Sequence, residues 1–500
     1  MNIDMSNILG ISAGFHDAAA TVVSPDGEIL FAGHSERYSK KKNDADFCTP
    51  LIRELENYNP ISTVAYYERP VMKQLRQLYS GQGIEWKKLS VKKNIHDQIG
   101  HAKWQDVKHY KSYNHHLSHA AAGFQTSPFD RATVVVIDAI GEWDTISIWG
   151  ATYDPKGVAK YKRLWRQSYP HSIGLFYSAI TGRAALQPLD EEYILMGMSA
   201  YGKPGLAKQF KQDFIRNSWD IRFKENLHIG VDPSYLPDAS NEDLARGAQD
   251  LVEELIGSVM ARARQFNWSN NLVYMGGVAL NCLANRKLGE YFENIWIMPC
   301  PGDAGSSLGA GALAYGGRLN WVNAFLGHNI PGSYPVNSLL DALLSVGIVG
   351  VASGRAEFGP RALGNRSLLA DPRGQDIKDR VNEIKQRQKF RPFAPVILEE
   401  HVQDYFDIPS GFCDSRYMQI VGKCKYPDLY PAICHVDGTS RIQTVPRDDS
   451  GIRRLLENWF VVTGCPMLLN TSLNIRGEPM VNDRNDADRF EQQYNIKVLS

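Results

Sequence analysis

The sequence predicts a duplicated α/β fold followed by a second domain, on three observations. At 500 residues and 43% hydrophobic the chain is too long for one core. A strand–turn–strand unit with an acidic residue at its turn occurs twice in the first part. Buried strands then run into glycine turns, the arrangement that grips phosphates between lobes.

The first unit reads as a strand over Ile8 to Ile11, a turn through Gly14-Phe15-His16-Asp17 and a strand over Ala19 to Val23. Pro25-Asp26-Gly27 makes a hairpin signal before a strand over Ile29 to Ala32. The second reads as a strand over Ala132 to Ile137, a turn through Asp138-Ala139-Ile140-Gly141 and a strand over Thr145 to Ala151. Leu244, Ala248, Leu251, Leu255 and Val259 carry helical spacing within 241–266, and Leu272 to Met275 is a buried strand ending in Gly276-Gly277. The cluster Pro301 to Gly309 opens a small-residue helix over 307–315. The stretch 325–340, rich in Gly, Pro, Asn and Ser, is the best linker candidate, so the domains are expected at 1–335 and 341–500.

Bulk properties exclude several classes. Lys+Arg and Asp+Glu are both 55, which gives no global reason to expect nucleic acid or a membrane surface. The start shows no basic region leading into an apolar run, and no membrane-length apolar stretch follows. The seven cysteines contain no C-x-x-C pair. A cytoplasmic protein is expected.

Chemistry concentrates in three places. His115 and His119 stand one helical turn apart, where two imidazoles converge on one metal ion; two histidines alone are more often surface or core residues. Asp138 and Asp303 are the acidic residues best placed to complete the set, whose nitrogen and oxygen donors suit Fe(II), Mn(II) or Zn(II). Gly276, Gly277, Asn281 and Gly305 belong to turns whose backbone N–H groups suit phosphate oxygens, although neither turn is a Walker A loop. The densest signal is Gly354 to Ser367 with Lys385 to Pro395, where cations set among glycines suit a phosphate ligand bound by arginine forks. Asn470-Thr471-Ser472-Leu473-Asn474 adds neutral hydrogen-bonding groups.

Together, Gly14 to Ala19, His115 to Ala120, Gly276 to Cys282, Pro301 to Ser307, Gly359 to Ser367, Phe390 to Pro395 and Asn470 to Pro479 resemble the NodU/CmcH/TobZ family of O-carbamoyltransferases. The resemblance covers essentially the whole chain. It implies an N-terminal actin-like (ASKHA, TsaD-like) domain and a C-terminal YrdC-like domain that joins ATP and carbamoyl phosphate into carbamoyl-adenylate; the first domain then transfers the carbamoyl group to a hydroxyl. It assigns His115, His119, Asp138 and Asp303 to an iron-type metal, with Mg(II) accompanying ATP. His16 becomes a general base and Asp243 its less certain partner. Gly276, Gly277, Asn281 and Gly305 line the nucleotide at the transfer site. Arg361, Asn365, Arg366, Ser367, Lys385, Arg387, Arg391, Thr471, Ser472 and Asn474 bind carbamoyl phosphate and ATP. Ile194, Ala139 and Gln388 depart from the family's usual lysine, glycine and glutamate.

The acceptor is less legible. Between Val71 and Lys111, Lys73, Arg76, Lys87, Lys88, Lys92, Lys93, Lys103, Lys108 and Lys111 interleave with Tyr79, Trp86, Trp104 and Tyr110. A solvated basic helix accounts for this stretch as well as a polyanion site does. The expected acceptor is a sugar hydroxyl of an antibiotic or oligosaccharide, or a hydroxymethylated pyrimidine in DNA. An actin-like sugar kinase and a non-catalytic nucleotide-binding regulator are the competing readings.

Overall fold

The computed structural model describes residues 6–100, 107–374, 376–388, 391, 393–412 and 414–500. Lys103 and Trp104 of the basic stretch, and Phe390 of the Lys385 to Pro395 motif, lie outside them.

Two five-stranded sheets share one topology. In the first, β1 (Asn7–Ser12), β2 (Ala19–Val23) and β3 (Ile29–His34) form an antiparallel meander, and β4 (Ile61–Tyr66) and β5 (His109–Ser112) add parallel to β1 in the order β3-β2-β1-β4-β5. In the second, β6 (Arg131–Gly141), β7 (Asp144–Tyr153) and β8 (Ala159–Ser168) repeat the meander. After a small hairpin of β9 (Ile215–Asn217) and β10 (Arg222–Phe223), β11 (Asn271–Met275) and β12 (Asn294–Trp296) add parallel to β6. This repeated meander with two parallel strands is the duplicated actin-like layout. The expected turn at Asp138 to Gly141 is a correction: β6 runs through it with a register shift, and the chain reverses at Glu142, where φ is +56°.

The lobes meet through two helices, His115–Thr126 and Ser306–Tyr315. The first starts at Asn114, whose side-chain oxygen accepts from Leu117 N at 3.1 Å and satisfies a donor the helix leaves open. It is buried on nearly every side, which its Ala-Ala-Ala-Gly run permits. At Gly309 a Cβ would stand 1.8 Å from Ser118 O, so the contact requires glycine.

The second unit is a six-stranded sheet. It comprises β14 (Ile348–Ala352), β16 (Arg366–Ala370), β17 (Ala394–Leu398), β21 (Gln443–Val445), β22 (Met467–Ser472) and β23 (Val498–Leu499), in the order β21-β17-β22-β16-β14-β23. Helices Val336–Val346 and Gly451–Thr463 pack on it through Leu339, Leu343, Leu455, Leu456 and Trp459. A short sheet of β18 (Phe406–Asp407), β19 (Val421–Cys424) and β20 (Thr439–Arg441) stands beside it. The expected linker is partly structured. Phe325–Ile330 forms β13 and pairs with β15 (Gly354–Glu357), stitching chain on both sides of the expected boundary together. Among the described residues no helix is long and apolar enough to cross a membrane.

Candidate active site

The fold brings the four expected metal ligands together. His115 and His119 project from one helix, Asp138 from β6 and Asp303 from the turn before Ser306–Tyr315, with one donor atom of each within 4.8 Å of all the others. All four are buried. The two histidine Nε2 atoms are 3.1 Å apart, and Asp303 Oδ1 lies 3.2 Å from both. His119 Nδ1 donates to Pro301 O at 3.0 Å, which leaves Nε2 with its lone pair toward the cluster centre. His115 Nδ1 is buried without a hydrogen-bond partner and faces Glu68 Oε2 at 3.8 Å. Burial opposes charge on both aspartates, but hydrogen bonds and charge from the two histidines outweigh it, most strongly at Asp138, and hold both carboxyls below their usual range.

Beside the cluster a cleft cavity is lined by Phe15, His16, Glu68, Arg76, Glu142 and Leu189, among others. His16 Nε2 is 3.8 Å from Asp303 Oδ2, and Nδ1 is 3.0 Å from Asp17 Oδ2. Burial lowers the His16 pKa, but the Asp17 hydrogen bond and the charges of Asp303, Asp17 and Asp138 raise it to about 9. Asp243 is a correction. It sits in the first turn of helix Asn241–Gln265, accepts from Lys203 N at 2.7 Å and does not line the cavity, so the carboxylate that pairs with His16 is Asp17.

The glycine turns divide by role. Gly277 N donates to Asp138 Oδ1 at 3.3 Å, so this turn touches the cluster directly. Gly276 has φ +91°, and a Cβ there would stand 2.2 Å from Ile137 O. A Cβ at Gly305 would meet Cys300 O at 1.8 Å, so that glycine serves close packing. Asn281 exchanges amide hydrogen bonds with Gln249 at 3.0 Å each way and caps the next helix through Ala284 N. Its side chain is engaged with the fold through these contacts.

In the second unit the expected binding residues separate into two groups. Arg361, Lys385, Arg387 and Arg391 crowd together with Arg441, a residue absent from the expected set. Burial, with Arg441 and Arg391 nearby, pushes Arg361 down to about 9; burial, with Arg391 and Arg441, pushes Arg387 down to about 8. Among the described residues no carboxylate pairs with Arg361, Arg391 or Arg441. Guanidinium groups keep their protons, so this cluster favours a polyanion. Arg391 lies 4.9 Å over the Tyr193 ring, which brings the first unit to its edge. Lys385 Nζ donates to Ser472 O at 2.7 Å and to Asn474 Oδ1, joining two expected residues; Thr471 precedes them on β22, half-buried.

Arg366, Asn365 and Ser367 make contacts within the fold. Arg366 is fully buried and donates to the carbonyls of His328, Ser353, Gly354, Asn365 and Asn482. Asn365 Nδ2 donates to Arg355 O at 2.8 Å, and Ser367 is fully buried within β16. Glu357 Oε1 collects the backbone N–H groups of Leu363, Asn365 and Arg366 at 2.8–3.1 Å, so these residues shape the turn that presents Arg361. Glu68, Asp17, Glu142 and Arg441 were missed because their partners come from distant segments; only Asp17, inside the Gly14 to Asp17 turn, carried a local signal.

A duplicated actin-like lobe with a buried His–Asp cluster, joined to a sheet bearing a cluster of cations, defines a protein with two polar centres in one chain. The family model of the carbamoyltransferase N-terminus matches residues 80–312, and that of the carbamoyltransferase C-terminus matches 340–500. Nodulation protein NolO of Bradyrhizobium diazoefficiens is 33% identical over 75% of this chain and 75% of its own length. Nodulation protein NolNO of Sinorhizobium fredii is 30% identical over 94% and 76%, and the uncharacterized protein sll1178 of Synechocystis sp. 32% identical over 99% and 95%. Full-length HypF superimposes over 63% of this chain and 55% of its own at 14% identity and a TM-score of 0.35, too loosely to bear on function. The chain belongs to the carbamoyltransferase family and is a carbamoyltransferase.

Proposed function

We propose that the protein is an ATP-dependent O-carbamoyltransferase that divides its chemistry between activation in residues 341–500 and transfer in residues 1–335. The observation that carries this reading is the cation cluster of Arg361, Arg391 and Arg441, unpaired by carboxylates among the described residues and bordered by Tyr193 of the first unit. Such a cluster suits ATP together with carbamoyl phosphate. Water cleaves carbamoyl phosphate to carbamate and inorganic phosphate. A carbamate oxygen then attacks the α-phosphorus of ATP and expels pyrophosphate, which the arginines stabilise. Carbamoyl-adenylate passes to the cleft, where the acceptor hydroxyl attacks its carbonyl carbon and AMP departs.

In the cleft, Asp17 holds the Nδ1–H of His16 and Nε2 faces the cavity; with a cation offsetting the Asp303 and Asp138 charges that raise this ring, Nε2 would be free to accept the acceptor's hydroxyl proton. The donor set His115, His119, Asp138 and Asp303, with an orphaned ring nitrogen behind it, fits a divalent Fe(II), Mn(II) or Zn(II) ion. Such an ion would supply positive charge toward nucleotide phosphates. Gly277 N–H orients Asp138 for that role. The acceptor is a hydroxyl of a sugar, an antibiotic or an oligosaccharide, or a hydroxymethylated pyrimidine of DNA. A cytoplasmic location accords with the free cysteines.

Purified protein given ATP, carbamoyl phosphate, Mg(II) and Fe(II) is expected to release pyrophosphate only when carbamoyl phosphate is present. Arg361→Ala should lower that rate on the order of a hundredfold, the scale of losing one preorganised charge stabiliser. His119→Ala should lose bound metal, read by elemental analysis. Release of ADP with no pyrophosphate would replace this reading with a kinase.

A further inference from the structure

The basic stretch between Val71 and Lys111 splits in two once folded. Lys87, Lys88, Lys92 and Lys93 are exposed. Helix Pro70–Tyr79 turns Val71, Leu75 and Leu78 to solvent and Gln74 and Arg76 inward. Arg76 is 8% exposed and lines the cleft cavity together with His16, Phe15, Gln77, Gln82 and His228.

Its guanidinium is committed at one atom only: Nε donates to Glu142 O at 3.2 Å, and Arg76 forms no ion pair among the described residues. The neighbouring carboxylates are taken. Glu68 Oε1 receives Lys73 Nζ at 2.6 Å, and Glu142 Oε2 receives Arg69 Nη2 at 2.6 Å. His228, lowered by burial and by Arg76, supplies a neutral hydrogen-bonding ring beside it. A buried guanidinium with its fork free toward a cavity is a receptor for a planar or tetrahedral oxyanion. In the same cavity Phe15, 54% exposed, 4.6 Å from the His16 ring and with Lys73 Nζ 5.6 Å from its centroid, offers its remaining face for a sugar or other ring.

We infer that the acceptor carries an anionic group, a phosphate or a carboxylate, which Arg76 binds while the acceptor ring lies on Phe15 with its hydroxyl toward His16. This rests on reading the cleft as the transfer site. It narrows the acceptor to a hydroxylated ring compound with a negative charge, and it gives the exposed lysines no part in recognition.

Binding can be measured without turnover. Glucose, glucuronate, glucose 6-phosphate and AMP are titrated calorimetrically into the full-length Arg361→Ala protein, whose other anion site is disabled, with and without Arg76→Ala. Arg76→Gln, which keeps a donor for Glu142 O, guards against misfolding, and Lys87→Ala serves as the exposed-lysine control. At least one of the two anionic sugars should bind tenfold or more tighter than glucose, lose that margin in both Arg76 variants and keep it in Lys87→Ala. Whichever anionic sugar binds tighter names the anion. Equal binding of all three sugars overturns the inference, as does an Arg76-dependent gain for AMP alone, which would return Arg76 to the nucleotide. Because no turnover is needed, the absence of any Arg76-dependent margin with pyrophosphate release intact in wild-type protein sinks only the acceptor; a clear margin without pyrophosphate release sinks only the activation reading.

Discussion

Arg361 and Arg366 lie in one glycine-rich turn, look alike in sequence and have opposite fates. Arg366 stands at the start of the interior strand β16, where five backbone carbonyls consume its donors. Arg361 points toward Arg391 and Arg441. Truncating Arg366 would strand carbonyls inside the protein, each worth roughly 1–3 kcal/mol when left unpaired. Arg366→Ala should therefore cost about 3 kcal/mol or more in urea unfolding. Arg361→Ala should leave stability nearly unchanged or raise it, because it removes a cation from among cations. A pair of urea melts separates the two roles, and a large loss in Arg361→Ala would place it in the framework instead. The family resemblance marked both as ligands, since a local motif carries charges and not the direction in which a turn aims them.

At the level of elements, the helix Gly451–Thr463 is fastened to the end of β17 by a charged contact. Arg453 Nη1 and Nη2 donate to the two oxygens of Glu400 at 2.8 and 2.6 Å, and Arg453 is 4% exposed. The Arg453 hydrogen bond holds the Glu400 carboxyl down at about 2 against an ordinary 4.5. A carboxyl depressed in the fold contributes stability that is present above pH 4.5 and lost as the pH falls toward 2. Glu400→Gln should cost about 1–2 kcal/mol at pH 7, with partial exposure screening the contact. The difference from wild type should shrink steadily below pH 4.5 and vanish near 2, read from denaturant midpoints across that range. A constant difference would mean that packing, not charge, fastens the helix. Ile452, Leu455, Leu456 and Trp459 bury one face of this helix, while the tie at its start pairs residues that lie far apart in sequence.

In the whole molecule, the turn carrying Arg361 leans on the loop carrying Asp303. Arg37 Nη2 donates to Gly359 O at 2.7 Å, Gly359 N donates to His34 Nε2 at 3.1 Å, and Lys40 pairs with Asp486. Gly359 has φ +136°, and a Cβ there would stand 2.6 Å from Pro299 O. Gly359→Ala should push the two units apart at this seam. Carbamoyl transfer should then fall tenfold or more relative to pyrophosphate release, as a displacement near 1 Å can do. Parallel assays of the two products check this, and an equal fall in both would mean that the seam supports only the second unit.

The chain alone determined the duplicated strand–turn–strand plan, the family and the four-residue His–Asp set, because each is written in local pattern: alternation, glycine at turns, and two histidines one helical turn apart. Tertiary structure decided what those patterns could not. Asp17, and not Asp243, meets His16; Asn281 and Arg366 serve the fold; Arg441 joins the cations; Arg76 turns inward while its lysine neighbours face water. Each of these depends on which distant segment packs beside a side chain, and burial and partner identity are properties of that packing, absent from any local stretch of the chain.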